Sequence, residues 1–388
     1  MAVVMRPGGL PALWLFVLAL AGCDAGHRDL RHFPDAAKVT GIALASTDQA
    51  LYLAWTETPD EGPARVVFQA QSLETGQWRS PITVTPDQPP PNRVRRDNDP
   101  VLAVHGERLM LVWQTRGDGF MGAGPMVLAS SDDGGRSWQA QEAPPQARET
   151  EAQGFFALTA DPDGRFHLAW LDNRSGEQGL QYARTDEGHW QRTKTLDPIT
   201  CQCCWNSLAH ASDGTTHLLY RNRSPRDMTL LSHDGSDWQN SGRAGAFDWH
   251  FDGCPHVGGA LAALNGQLHA LSWTGHDEML GLYHQQQAES GFTPPRRLGT
   301  RDARHGDLAV QGETGLLAVW DEPRNGLIRA QVLEPNGAGA TPEAITLRED
   351  RERSPTRPLV AGGNRATHVI WTETDGDGRT GWVLREME

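Results

Sequence analysis

The chain has 388 residues, and its 49 Asp and Glu against 35 Lys and Arg leave a formal charge of −14 at pH 7. With no basic stripe, that balance excludes nucleic acid as a partner and a surface that hugs anionic lipid. Richness in Gly (42), Pro (25) and Trp (14), with few long helical patterns, directs attention to repeated short strands.

At the start of the chain, Arg6 precedes an apolar run over 10–20 that is too short to span a bilayer and has the shape of a secretion signal. It ends in Leu20-Ala21-Gly22-Cys23, which resembles the bacterial lipobox. The resemblance implies a signal peptide over 1–22, cleavage before Cys23, and acylation of that cysteine; several acyl chains hold a protein firmly to a membrane. Residues 23–36 are then a tether, and 37–388 a single domain. The expected location is the cell envelope, on the periplasmic side. Asp24 resembles an inner-membrane retention signal, although the choice between inner and outer membrane stays open. In such an oxidising compartment disulfides persist. With Cys23 removed from the thiol count, Cys201, Cys203, Cys204 and Cys254 remain.

Further along, an apolar run ending in an aromatic residue recurs at Trp55, Trp113, Trp170, Tyr220, Trp273, Trp320 and Trp371, at intervals of 47 to 58 residues. Each run follows another apolar strand across a turn. Four strands in about 50 residues is the signature of a propeller blade. A second motif keeps the same beat. "SDDGGRSW", with Ser131, Asp133, Gly135 and Trp138, is followed by worn copies such as "RTDEGHW" ending at Trp190 and "SHDGSDW" ending at Trp238. It resembles the Asp box of the BNR, sialidase-like β-propeller superfamily. The resemblance implies an all-β propeller of four-stranded blades, with the boxes on the face away from the active site. The last unit is one strand short, and residues 30–34 are placed to supply the missing strand and close the ring. Seven blades are favoured, with six still possible.

Two loop sets of such a ring share one face: the second-to-third connections, and the links from one blade to the next. "CQCC" lies in the link before a strand starting near Asn206, and "DGCPHVGG" in the following link, before a strand near Gly259. Cys254 is therefore expected beside Cys201, Cys203 and Cys204, one blade over. "TCQCCW" is similar to a segment of certain periplasmic copper-resistance proteins, and the set of Cys-x-Cys-Cys, Tyr-Arg and Gly-Cys-Pro segments to a bacterial lipoprotein group. Three readings stay open. Disulfides are the default for thiols in this compartment, but Cys203 and Cys204 are neighbours and a bond between them strains the peptide. Thiolates also select Cu(I) or zinc, with His250 and His256 flanking Cys254 as further ligands. Redox exchange lacks the usual helix N-terminus that lowers a thiol pKa.

An enzyme of the sialidase type is the alternative. The resemblance implies an arginine triad, a Tyr–Glu nucleophile pair and an Asp acid/base. Arg93, Arg96 and Arg221, with carboxylates such as Asp97, Asp99 and Asp307, are the candidates on the functional face. The Arg-Ile-Pro segment of that family is missing. Of the four tyrosines, Tyr52, Tyr182 and Tyr220 fall on core positions, which leaves Tyr283 with some freedom. A glycan or a protein is the expected partner of this face.

Overall fold

The computed structural model describes residues 29–387 apart from 86, 93–98, 120–121, 148–151, 290 and 335–341. Seven antiparallel sheets, each of four strands or four with a split outer strand, succeed one another along the chain. They span 37–83, 101–141, 154–197, 207–244, 260–298, 304–349 and 356–387, and are called blades 1 to 7 in that order. Seven blades, not six, make the ring. Within each, the second strand is buried on both faces, as in Phe166–Asp172 and Thr216–Arg221. This is why those strands read as unbroken apolar runs ending in an aromatic residue.

The ring closes through the short strand Leu30–His32, which pairs antiparallel with Thr380–Met387 in blade 7. Three residues of pairing are marginal alone. Ion pairs and rings reinforce them. Arg385 binds Asp29 at 2.7 Å, and Arg379 binds Asp35 at 2.9 Å. The His32 ring stacks on Trp382 and tilts against Trp55 of blade 1, with centroids 5.4 and 5.2 Å away.

A polar latch recurs that the apolar pattern does not announce. Side chains two apart on a strand share a face. In four blades the buried indole N–H therefore donates to a carboxylate two residues on. The pairs are Trp55–Glu57 (2.8 Å), Trp170–Asp172 (2.8 Å), Trp320–Glu322 (3.3 Å) and Trp371–Glu373 (2.8 Å). Each carboxylate takes a second partner, respectively Arg65, Arg174, Thr300 and Arg348.

The Asp box is a turn whose aromatic residue reaches the neighbouring blade. Asp133 accepts backbone N–H bonds from Arg136 and Ser137, at 2.8 and 2.9 Å, and Gly135 donates to Ser131 at 2.8 Å. Gly135 sits at φ +79°, and a Cβ there would lie 2.2 Å from the Phe68 ring. Trp138 meets that same ring edge-on at 5.1 Å, and Trp238 meets Tyr182 of blade 3 at 4.8 Å. These two boxes thus fasten blades 2 and 4 to the blade before them.

Glu57 joins the latch to the closure, since it accepts from Trp55, Arg65 and His32. Burial pushes its carboxyl up, but bonds from His32, Trp55 and Arg65 outweigh burial and bring it to about 2 from its ordinary 4.5. A depressed carboxyl stabilises the fold above its unfolded pKa, and the contribution fades as pH falls through the folded value. Glu57→Gln should therefore destabilise the protein by about 1–3 kcal/mol at neutral pH. In urea melts the difference from wild type should hold down to about pH 4.5 and shrink between there and about pH 2.

Candidate metal centre

The three cysteines of the first link lie between the blade 3 outer strand Lys194–Asp197 and the blade 4 inner strand Ser207–His210. Their loop is pinned at its start. The Cys201 N–H donates to the Arg221 carbonyl at 3.0 Å, and the Thr200 N–H to the Gln178 carbonyl at 2.7 Å. This turns all three thiols inward, each 1% exposed. Cys201 Sγ lies 3.9 Å from Cys203 Sγ and 3.1 Å from Cys204 Sγ.

Cys254 arrives from the next link, between Trp238–Ala244 and Ala260–Leu264, and is exposed. The donor atoms of Cys203, Cys254 and His256 lie within 4.8 Å of one another, as do those of Cys201, Cys203 and Cys204. Two triads therefore share Cys203, one buried and one open to solvent. None of the four cysteines forms a disulfide. His250 is not part of the group. Its exposed ring meets Ser224 Oγ at 3.2 Å and Asp248 at 3.5 Å.

Arginines set the charge of the site. Arg226 donates from Nη1 to Cys201 Sγ at 3.0 Å and from Nε to the Phe251 carbonyl at 2.8 Å. Hydrogen bonds from Cys203 and Cys204, with the Arg221 charge, hold the Cys201 thiol well below its ordinary value. Contact with Cys201 pushes Cys203 up, and burial does the same to Cys204. The pocket thus favours one thiolate, on Cys201. A soft ion fits this donor set. Metal–sulfur bonds of about 2.3 Å place ligand sulfurs about 3.8 Å apart in a tetrahedron, and the Cys201–Cys203 spacing is 3.9 Å.

Arg221 is not a substrate arginine. It is 1% exposed, and its guanidinium donates to the carbonyls of Val257 (3.0 Å), Trp273 (2.9 Å) and Arg226. It braces the Cys254 link from below. Asp307 is also engaged elsewhere. It accepts the Val360 N–H at 2.9 Å, and burial pushes its carboxyl up to about 6. Asp99 accepts the Ile42 N–H at 2.9 Å. Arg93, Arg96 and Asp97 lie outside the described residues, as do Cys23 and Asp24.

No tyrosine is placed to act as a nucleophile. Tyr283, expected to be free, is 4% exposed and donates to the Met279 carbonyl at 2.8 Å. Tyr182 meets His167 and Tyr220 meets Asp197, each at 2.7 Å, and Tyr52 is core. Sequence reasoning missed Arg226 as the partner of Cys201, because the contact spans 25 positions between two loops.

Arg221→Met should leave the Val257 and Trp273 carbonyls buried without donors, at about 1–3 kcal/mol each. The midpoint of a urea melt should fall accordingly, with the slope unchanged.

A pattern for the BNR repeat-like domain matches residues 49–302. No curated protein matches the sequence. Among solved structures, an ulvan lyase of polysaccharide lyase family PL25 superposes with a TM-score of 0.63 at 11% identity, over 92% of this chain and 96% of that one. A protein of unknown function from Dyadobacter fermentans superposes at 0.54 and 12%, over 92% and 98%. The sialidase of Trypanosoma rangeli reaches 0.47 at 8%, where this chain spans 59% of that protein. At such identities the likeness is one of fold. With more than half its length under the family pattern and seven blades in its ring, the chain belongs to the BNR repeat-like family.

Proposed function

We propose that this chain is a metal-binding propeller, held at the periplasmic side of the cell envelope by a lipid on Cys23. Its site takes a soft ion, Cu(I) foremost and zinc second. The observation that carries this reading is the convergence of Cys203 with Cys254 and His256, from two links about fifty residues apart. Cys201, Cys203 and Cys204 offer an inner set of thiolates, and Cys254 with His256 an outer set reachable from solvent. Thiolates select Cu(I), and imidazole is compatible with copper or zinc. When bound, the ion would tie two adjacent interblade links together; Arg226, on Cys201, offsets part of the thiolate charge.

Exo-sialidase activity has less support. The four tyrosines are buried and hydrogen-bonded or packed in the core, and Arg221 binds carbonyls. A fluorogenic sialoside should show no turnover. Other glycan chemistry, as in the lyase of similar fold, would need a site other than these residues.

Anaerobic titration of the reduced soluble domain against a chromophoric Cu(I) chelator should show stoichiometric binding. Cys203→Ser, which removes the shared ligand, should weaken it at least about a hundredfold. Stoichiometric disulfides in freshly isolated protein, with no copper or zinc bound after reduction, would overturn the reading. Separately, Cys23→Ala should release the protein from the membrane fraction, and the mass of the wild-type mature chain should begin at an acylated Cys23.

A further inference from the structure

Besides the spacing that suits an ion, the four thiols form a graded series from solvent to core. Cys254 is exposed, whereas Cys201, Cys203 and Cys204 are each 1% exposed and pack against Phe155. Cys203 belongs to both triads. Its sulfur lies within 4.8 Å of Cys254 on one side and of Cys201 and Cys204 on the other. The innermost step is the shortest. A turn at Gln202 and Cys203 folds the chain back and leaves Cys201 Sγ and Cys204 Sγ 3.1 Å apart.

That spacing separates two uses of sulfur. Ligands of one tetrahedral ion stand about 3.8 Å apart, as Cys201 and Cys203 do at 3.9 Å. Cys201 and Cys204 stand closer than that, on the way to the bond of about 2 Å that joins a disulfide. They are also the inner pair most widely spaced in sequence, with two residues between them. A bond between the neighbours Cys203 and Cys204 would strain their peptide, and this pair avoids that strain. Burial sets the direction of traffic. A disulfide in solution can reach Cys254, while the inner sulfurs are closed to it.

From this geometry we infer that the chain is a thiol–disulfide relay, with Cys254 as entry, Cys203 as shuttle and Cys201 with Cys204 as a buried store of two electrons. Its substrate is a low-molecular-weight disulfide, RSSR. Cys254 attacks one sulfur of RSSR, and a mixed disulfide forms as the first RS⁻ departs. Cys203 then attacks Cys254 Sγ and expels the second RS⁻. Cys201 attacks Cys203 Sγ and releases Cys254, and Cys204 attacks Cys201 Sγ and releases Cys203. Each departing thiolate takes up the proton that an attacking thiol gives away. The sum is two electrons passed from Cys201 and Cys204 to RSSR, which leaves as two RSH. The relay runs in the metal-free protein and does not rest on the metal reading.

Oxidation of the reduced, chelator-treated full chain in detergent tests it, with one equivalent of glutathione disulfide added anaerobically. Acid quenching, alkylation, reduction and a second alkylation then report each cysteine by the mass of its peptide. In the oxidised fraction Cys201 and Cys204 should carry the second label, and Cys203 and Cys254 the first. Cys254→Ser should slow oxidation of the inner pair at least about tenfold, because the reachable thiol is gone. Cys203→Ser should hold glutathione on Cys254 as the mixed disulfide. Unchanged melting temperatures identify variants that fold. Should Cys203→Ser not fold, Cys204→Ser decides, since without the store Cys203 should end in the disulfide. A wild-type product that includes Cys203 or Cys254, undiminished oxidation of the inner pair in Cys254→Ser, or four thiols untouched by excess glutathione disulfide would overturn the inference. Metal is excluded throughout, so this result and the Cu(I) titration can each fail alone.

Discussion

The inner strand of every blade faces an axial channel across which it has no strand to pair with. Unpaired backbone groups at a sheet edge are costly when buried and hazardous when exposed. The ring answers with side chains. Asp99 takes the Ile42 N–H, Ser207 the Leu261 N–H and Asp307 the Val360 N–H, while Asn206 donates to the Phe155 carbonyl. Each bond runs from one blade to a neighbour, so the same contacts that satisfy the edges hold the blades in a circle. Asp99 and Asp307 are thus ties between blades, and Asp321 of blade 6 is another, since it accepts from Thr356 Oγ1 and from the Arg357 backbone N–H of blade 7.

The stitching also fixes where the sulfur lies. Trp205, Asn206 and Ser207 follow directly on Cys204, and Gly258 and Gly259 follow His256. Asn206 and Ser207 are tied to blades 3 and 5, which anchors the C-terminal end of the first link. The second link is pressed onto the first: a Cβ at Gly258 would lie 2.9 Å from the Trp205 Cβ. Arg221 then holds the Val257 carbonyl from beneath. Two loops that start on rigid ties and touch along their length can bring Cys203 to Cys254 without help from a disulfide.

Much of this was legible in the chain because a repeat fixes geometry. An interval near fifty residues implies adjacent blades, and adjacent blades imply adjacent links. The meeting of Cys203 and Cys254, the closing strand near Leu30 and the seven blades all follow from that period. What the period does not carry is the direction of a side chain within a link. His250 and His256 flank Cys254 alike in sequence, yet only His256 joins the sulfurs; it does so from a left-handed backbone, at φ +52°, that no residue type announces. Tyr283, on the strand Gly281–Ala288, falls outside the core positions that the repeat marks. Its hydroxyl is held by the carbonyl of Met279 in the preceding loop.

Departures from the repeat are the more informative signal. Four blades place an acid two residues after the buried tryptophan; blade 4 reads Tyr220-Arg221-Asn222 instead. The latch is lost there, and what replaces it serves the links: Tyr220 reaches back to Asp197 of blade 3, while Arg221 reaches forward under the Cys254 loop. Blade 6 departs by addition, with Trp320-Asp321-Glu322. Side chains alternate along a strand, so Glu322 shares the tryptophan's face and completes the latch, while Asp321 must point to the other. A buried carboxylate there requires partners, and it finds them in His305, Thr356 and the backbone of Arg357. The extra acid is what allows two residues in left-handed backbone, His305 and Arg357, to be held at the axis. In a fold whose stability lies in repetition, the units that break the repeat are those whose side chains have been released to tie links and blades together.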